Sequence, residues 1–217
     1  MILVLDEGKA WEDAASGAYR CTCGGRQCSW GYARVRQIRQ LDGSHIAYRP
    51  RRFACSECRT TQVFLPAWCL PRRRDSAETV GHALLKAAKG SGHRTIAAEL
   101  GRPESTVRNW LRRARRRAEW LRTAGVLAFH EIEFDPGPMR VRETPLTQAV
   151  EALGCAAAAR VRRLGLIGVP PWSIITRSAS GDYSTASRTD NQTGGSSSSR
   201  AWEHFAAIAM VTMATPA

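Results

Sequence analysis

The most constraining feature of the chain is the placement of its cysteines. Six of the seven fall between residues 21 and 69, at Cys21, Cys23, Cys28, Cys55, Cys58 and Cys69; the seventh is Cys155. Cys55-Ser-Glu-Cys58 is a C-x2-C pair. It follows Cys21-Thr-Cys23-Gly-Gly-Arg-Gln-Cys28 after about a hairpin's length of chain. Two cysteine turns flanking a hairpin bring four thiolates to one tetrahedral Zn²⁺, at about 2.3 Å each. An odd cysteine count with no export signal argues against a disulfide framework. Cys55 and Cys58 are the firmest ligands, and Cys23 is next, because Gly24-Gly25 after it permits a tight turn. The fourth is Cys21 or Cys28. Cys21-x-Cys23 is a tighter bite than the usual spacing, within which Cys23-x4-Cys28 lies, whereas a turn that ends at its glycines favours Cys21, which is taken as the fourth ligand. Cys69 and Cys155 lie among apolar neighbours and read as core thiols. No nearby carboxylate or histidine completes an open catalytic site, so the expected zinc is structural rather than catalytic.

The segment between the cysteine turns reads as strands. Trp30–Arg39 alternates, with Tyr32, Arg34, Arg36 and Ile38 on one face. Leu41-Asp42-Gly43-Ser44 supplies an Asp-Gly turn, and His45–Arg52 returns. Thr61–Leu65 can add a strand after the second turn, and Ile2–Leu5 reads as another. A core this small needs a staple, which a metal provides.

Downstream, the period changes from two to 3.6. Within Gly92–Arg113, Ile96, Ala97 and Leu100 share one helical face. Gly101 follows where a tight turn needs positive φ, and a second helix from near Pro103 turns Val107, Trp110 and Leu111 inward. An upstream helix, Ala77–Ala88, offers Val80, Leu84, Leu85 and Ala88 as the third packing face. This is the pattern of a DNA-binding helix-turn-helix. Arg102 occupies a turn position that is more often apolar. The outward residues Ser105, Thr106, Arg108, Asn109 and Arg112 all carry groups that bond bases or phosphates. Arg113, Arg115, Arg116 and Arg117 then extend the helix as a phosphate clamp.

Charge fits this reading. Lysine plus arginine is 32 against 19 aspartate plus glutamate, a formal charge of +13, and the only lysines are Lys9, Lys86 and Lys89. The arginines cluster in 34–52, 72–74 and 102–122, whereas codon bias would spread them. Guanidinium suits phosphate because its planar fork bonds in pairs. A polyanionic partner and a cytoplasmic location are expected. No stretch reaches the roughly 18 apolar residues of a membrane helix, so no membrane association is expected.

The expected class is therefore α+β. A small β zinc ribbon (1–70) precedes a three-helix helix-turn-helix (76–123) and a C-terminal helical segment (144–175). That segment opens with Thr144 as N-cap and Pro145 at the first position. Residues 124–142 read as a connection, with a strand at Phe129–Phe134. Leu146, Val150, Leu153, Val161 and Leu164 recur at helical spacing. They suit either a homodimer or a fold-back onto the core, with Trp172 packing against them. Residues 177–217, rich in Ser, Thr, Gly and Asn, are expected to be a largely disordered tail.

With both modules placed, residues 20–123 resemble bacterial proteins of uncharacterised function that join a zinc ribbon to a helix-turn-helix. They are also similar to the N-terminal DNA-binding half of zinc-ribbon insertion-sequence transposases. The matching residues are Cys23-Gly24-Gly25, Trp30-Gly31, Arg49–Cys58, Leu65-Pro66 and Ile96–Leu111. The resemblance implies binding of double-stranded DNA, as a transcriptional regulator or a mobile-element accessory, and does not imply catalysis. A transposase would need three carboxylates on a strand-rich frame. The acids after residue 123 (Glu131, Glu133, Asp135, Glu143, Glu151, Asp182, Asp190 and Glu203) sit in none, so no enzyme is expected. The alternatives are an RNA-binding zinc ribbon and a truncated transposase that retains only DNA binding.

Overall fold

The computed structural model describes residues 2–133, 139 and 142–178. The protein is mixed α+β, with its described strands in the first third and most of its helices after them. The strands are β1 (Ile2–Val4), β2 (Gln27–Tyr32), β3 (Arg36–Arg39), β4 (His45–Tyr48), β5 (Arg51–Cys55) and β6 (Thr61–Pro66). They form one sheet in the order β1-β6-β5-β2 and a separate β3-β4 ladder. The helices are α1 (Glu7–Ala15), α2 (Ala77–Ala88), α3 (His93–Leu100), α4 (Glu104–Arg116), α5 (Ala118–His130), α6 (Pro145–Leu164) and α7 (Pro171–Ser178).

The expected long hairpin is divided in two. β2 pairs with β5, and the Asp-Gly turn closes only the shorter β3-β4 ladder, Arg36 opposite Tyr48 to Arg39 opposite His45. The cause lies at Gly31, whose positive φ of 91° sits inside a register shift between Ser29 and Tyr32. A bulge of this kind bends a strand and ends its pairing. β1 runs parallel to β6 and is buried on both faces. Ile2 and Val4 join Trp11, Tyr19, Phe53 and Phe64 under α1, while Leu3 faces Ile38, Leu65 and Cys69. Burial pushes the Cys69 thiol up to about 12, so it behaves as an apolar side chain.

In the helical part, Val80, Ala83 and Leu84 of α2 pack with Ile96, Ala97, Leu100, Val107, Trp110, Leu111 and Ala114. Leu85 and Ala88 stay half-exposed, so α2 is rotated slightly from the expected face. Gly101 adopts φ 60° and ψ 39°; its N–H donates to Ala98 O and that of Arg102 to Ala97 O, which is a Schellman closure. The strand expected at Phe129–Phe134 is instead the end of α5, which runs to His130; Phe134 lies outside the described residues. The apolar alternation there is short, and burial of Phe129 with Ala156 and Ala159 satisfies it equally well as helix.

Helix α6 begins as expected, with the Thr144 hydroxyl accepting from Thr147 N at 3.2 Å. It folds back on α5, and Leu146, Ala149, Leu153 and Ala157 are buried within the chain. That face is packed within the chain, as the fold-back alternative has it. Leu164, at 57% exposure, falls outside the packed stripe. Trp172 lies over Gly81 of α2, and the Glu78 carboxylate accepts from Trp172 N and Ser173 N at the start of α7. The tail expected over 177–217 lies outside the described residues from 179 on.

Ribbon and helices meet at Asp75. Arg102 Nε donates to Asp75 Oδ1 at 2.7 Å and Arg39 Nη2 to Oδ2 at 3.2 Å. Arg102 also donates to Leu100 O at 2.8 Å and to Gln40 O of the ribbon at 3.0 Å. The side chains of Arg102 and Asp75 are 4% and 6% exposed, so each would be a buried uncompensated charge without the other. Asp75→Ala should cost about 3–5 kcal/mol of stability, measured by urea unfolding at neutral pH. Arg49→Ala, on an exposed ribbon residue, should stay within about 0.5 kcal/mol of the parent.

Candidate metal centre and arginine face

The first cysteine turn is closed by Gly24 N donating to Cys21 O at 2.8 Å and Cys21 N to Gly25 O at 2.9 Å. The second is closed by Cys55 N donating to Thr60 O at 3.0 Å, and it is tied to the first by Ser56 N donating to Arg26 O at 2.9 Å. These bonds place the sulfurs of Cys21, Cys23, Cys55 and Cys58 within 4.8 Å of one another. Cys21 Sγ lies 3.6 Å from Cys58 Sγ, and Cys23 Sγ lies 3.4 Å from Cys55 Sγ. A tetrahedral ion bound to sulfur at about 2.3 Å has edges of about 3.8 Å. Four thiols at these separations fit such an ion closely. Gly25 is needed for the approach, because a Cβ there would lie 2.5 Å from Cys55 Sγ.

The structure thus selects Cys21 over Cys28. Cys28 sits on β2 opposite Ala54, exposed and outside the cluster. Strand geometry explains this. The turn has ended by Gly25, and Gln27 already pairs with Cys55, so Cys28 is carried along the ladder away from the other sulfurs.

The thiols perturb one another. Hydrogen bonds from the Thr60 hydroxyl and backbone hold Cys58 down at about 6. The Gly25 backbone lowers Cys23, yet proton sharing with Cys55 and Cys58 leaves it up at about 11. Crowded thiols cannot all ionise together unless a cation compensates the charge, and a bound metal ion does so. The four residues can therefore hold a metal ion.

The second candidate surface is α4. Val107, Trp110, Leu111 and Ala114 face the core. Ser105, Arg108, Arg112, Arg115 and Arg116 are exposed, and Thr106, Asn109, Arg113 and Arg117 are half-exposed. Arg117 separates α4 from α5, so the basic run ends at a helix break rather than within one long helix. Among the described residues, no carboxylate pairs with Arg108, Arg112, Arg115, Arg116 or Arg117, whereas Arg122 pairs with Glu119.

Other arginines of the basic clusters face inward. Arg36 donates to Leu70 O at 3.0 Å and to Arg73 O, and Arg39 and Arg102 hold Asp75. One sign that Arg102 differs is legible in the sequence, its place in a turn that more often carries an apolar residue. Of the acids after residue 123, Glu131 pairs with Arg160, Glu133 with Arg162 and Arg163, and Glu151 with Arg142. Asp135, Asp182, Asp190 and Glu203 lie outside the described residues.

These features define an α+β chain with a four-thiol ribbon joined to a helical part. Residues 21–110 match a family model described as a domain of unknown function, DUF6431. The match spans both cysteine turns, the ribbon strands after them, α2, α3 and α4 as far as Trp110. No curated protein and no solved structure matches the chain.

The thiol geometry leads to a direct expectation. Cys58→Ser should lose the metal and destabilise the ribbon, whereas Cys28→Ser should retain one equivalent. Elemental analysis of the purified variants, paired with a chelator titration followed by circular dichroism, checks both.

Proposed function

We propose that the protein is a sequence-specific DNA-binding protein. In this reading Zn²⁺ holds the ribbon together through Cys21, Cys23, Cys55 and Cys58, and α4 enters the major groove. All-thiolate coordination with no open position suits structural zinc. The observation that carries the reading is the division of α4. Its inner row locks it to α2 and α3, while its outer row is Ser105, Arg108, Arg112 and Arg115, without acidic partners among the described residues. Surface arginines that only aid solubility are usually interleaved with carboxylates, as Arg122 and Glu119 are. An uncompensated cationic row on a helix fixed by a tight turn suits a polyanion.

Position assigns the roles. Ser105, Thr106, Arg108, Asn109 and Arg112 lie in the first half to two-thirds of α4 and would meet base edges. Arg113, Arg115, Arg116 and Arg117 lie beyond and would meet phosphates. The reading includes no catalytic step.

Selection of bound sequences from a random duplex pool should yield a preferred site. Asn109→Ala should then cost about 1–3 kcal/mol on that site and little on random DNA. Replacing Arg115 and Arg116 by Ala should weaken both and reduce the salt slope by up to roughly two. Equal loss on both DNAs for Asn109→Ala would count against base reading by α4. Recovery of no preferred site would count against sequence specificity.

A further inference from the structure

The ribbon carries a second set of arginines that the zinc site and α4 leave unexplained. The Arg51 guanidinium lies over the Trp11 ring, 4.0 Å from its centroid, and 5.9 Å from that of Tyr32. Arg49 lies over Tyr32 at 5.1 Å. The register explains the stack. Tyr32 pairs with Arg51 across β2 and β5 and so shares its face, and Phe53, two residues on, contacts Trp11 on that same face. The bulge at Gly31 brings Tyr32 into this position.

We propose that Trp11 and Tyr32 hold Arg51 and Arg49 as a second phosphate-binding face, which takes the backbone of the duplex DNA bound by α4. The inference rests on the DNA-binding reading for its choice of partner.

Three observations support it. First, neither guanidinium has a hydrogen bond or an ion pair among the described residues, whereas Arg36 and Arg39 of the same ribbon donate inward. Glu7 lines the same shallow cleft as Arg51, but its carboxylate accepts the Tyr48 hydroxyl at 2.8 Å. Second, stacking on a ring uses the face of a guanidinium and leaves its N–H edge for an anion. The rings also limit the rotamers of two long side chains before binding, which lowers the ordering cost of the contact. Third, if the arginines only shielded apolar rings, Tyr32 would be covered; it is 51% exposed, and Arg34, two residues on, is exposed as well. The two guanidinium groups are held by rings and form no ion pair among the described residues, which complements a phosphodiester backbone rather than a base edge.

The test uses the full chain with its metal content verified, and a random-sequence duplex of about three helical turns titrated at several salt concentrations. Replacing Arg49 and Arg51 by Gln should weaken binding tenfold or more at low salt. It should also reduce the salt slope by roughly two, one for each phosphate contact. Tyr32→Ala, with both arginines kept, should weaken binding several-fold, and Tyr32→Phe should restore it. The Arg115/Arg116 double alanine variant serves as the reference for α4. If it loses affinity while the Arg49/Arg51 variant keeps both affinity and slope, the ribbon face is overturned and the α4 reading stands. If neither pair changes binding, the DNA reading fails and this inference fails with it. A single-stranded RNA of equal length that binds more tightly than the duplex, and depends on Arg49 and Arg51, would overturn the choice of DNA.

Discussion

Asp75 accepts from two guanidinium groups that come from different parts of the chain. Arg39 belongs to a ribbon strand, and Arg102 to the turn between α3 and α4. The next residue, Ser76, caps α2 through its hydroxyl, and its backbone N–H donates to Arg39 O. One carboxylate and its neighbour thus set where the ribbon hairpin, the start of α2 and the α3-α4 turn meet. Burial makes the arrangement selective. In a low-dielectric interior, a charge without its partner is far more costly than the pair, so positions that separate the ribbon from the helices are disfavoured. Because Arg102 also holds Gln40 O, the orientation of α4 relative to the ribbon is fixed by directional bonds rather than by apolar contact alone.

The arginines therefore divide by task. Arg36 and Arg39 form internal bonds, and Arg102 forms a set that a lysine could not reproduce, since its Nε, Nη1 and Nη2 each donate to a different acceptor. Among the described residues, those on the outer row of α4 and on the Trp11 and Tyr32 rings pair with no carboxylate. Net charge describes the sum of these groups and does not separate them. Only their distances to carbonyls and carboxylates do.

The ribbon illustrates how little apolar material a small sheet can use. Its core is a few aromatic and aliphatic side chains beneath α1, and the two cysteine turns lie at the end of the β2-β5 ladder where that core stops. The four thiols that can hold a metal ion lie at this end, and the turns that carry them are also tied to each other by the Ser56 N to Arg26 O hydrogen bond. The helical part needs no such staple. α2, α3 and α4 bury a continuous core, α6 and α7 close over it through Leu146, Val150 and Trp172, and Ala152 of α6 packs against Gly125 of α5.

The sequence by itself determined the elements whose signals are local. Cysteine spacing marked the two thiol turns, with Gly24-Gly25 adding to the signal at the first. The 3.6 period with Gly101 marked α3 and α4, and Thr144-Pro145 marked the start of α6. These follow from nearest-neighbour backbone chemistry and need no knowledge of the rest of the chain. Tertiary structure decided what depends on partners distant in sequence. It excluded Cys28, because strand pairing carries that residue away from the other sulfurs. It turned the Phe129 region into helix, because α6 was there to bury it. It also turned Arg102 inward and stacked Arg51 on Trp11, because a guanidinium is equally at home on a phosphate, a carboxylate or a ring, and only the fold determines which of them is within reach.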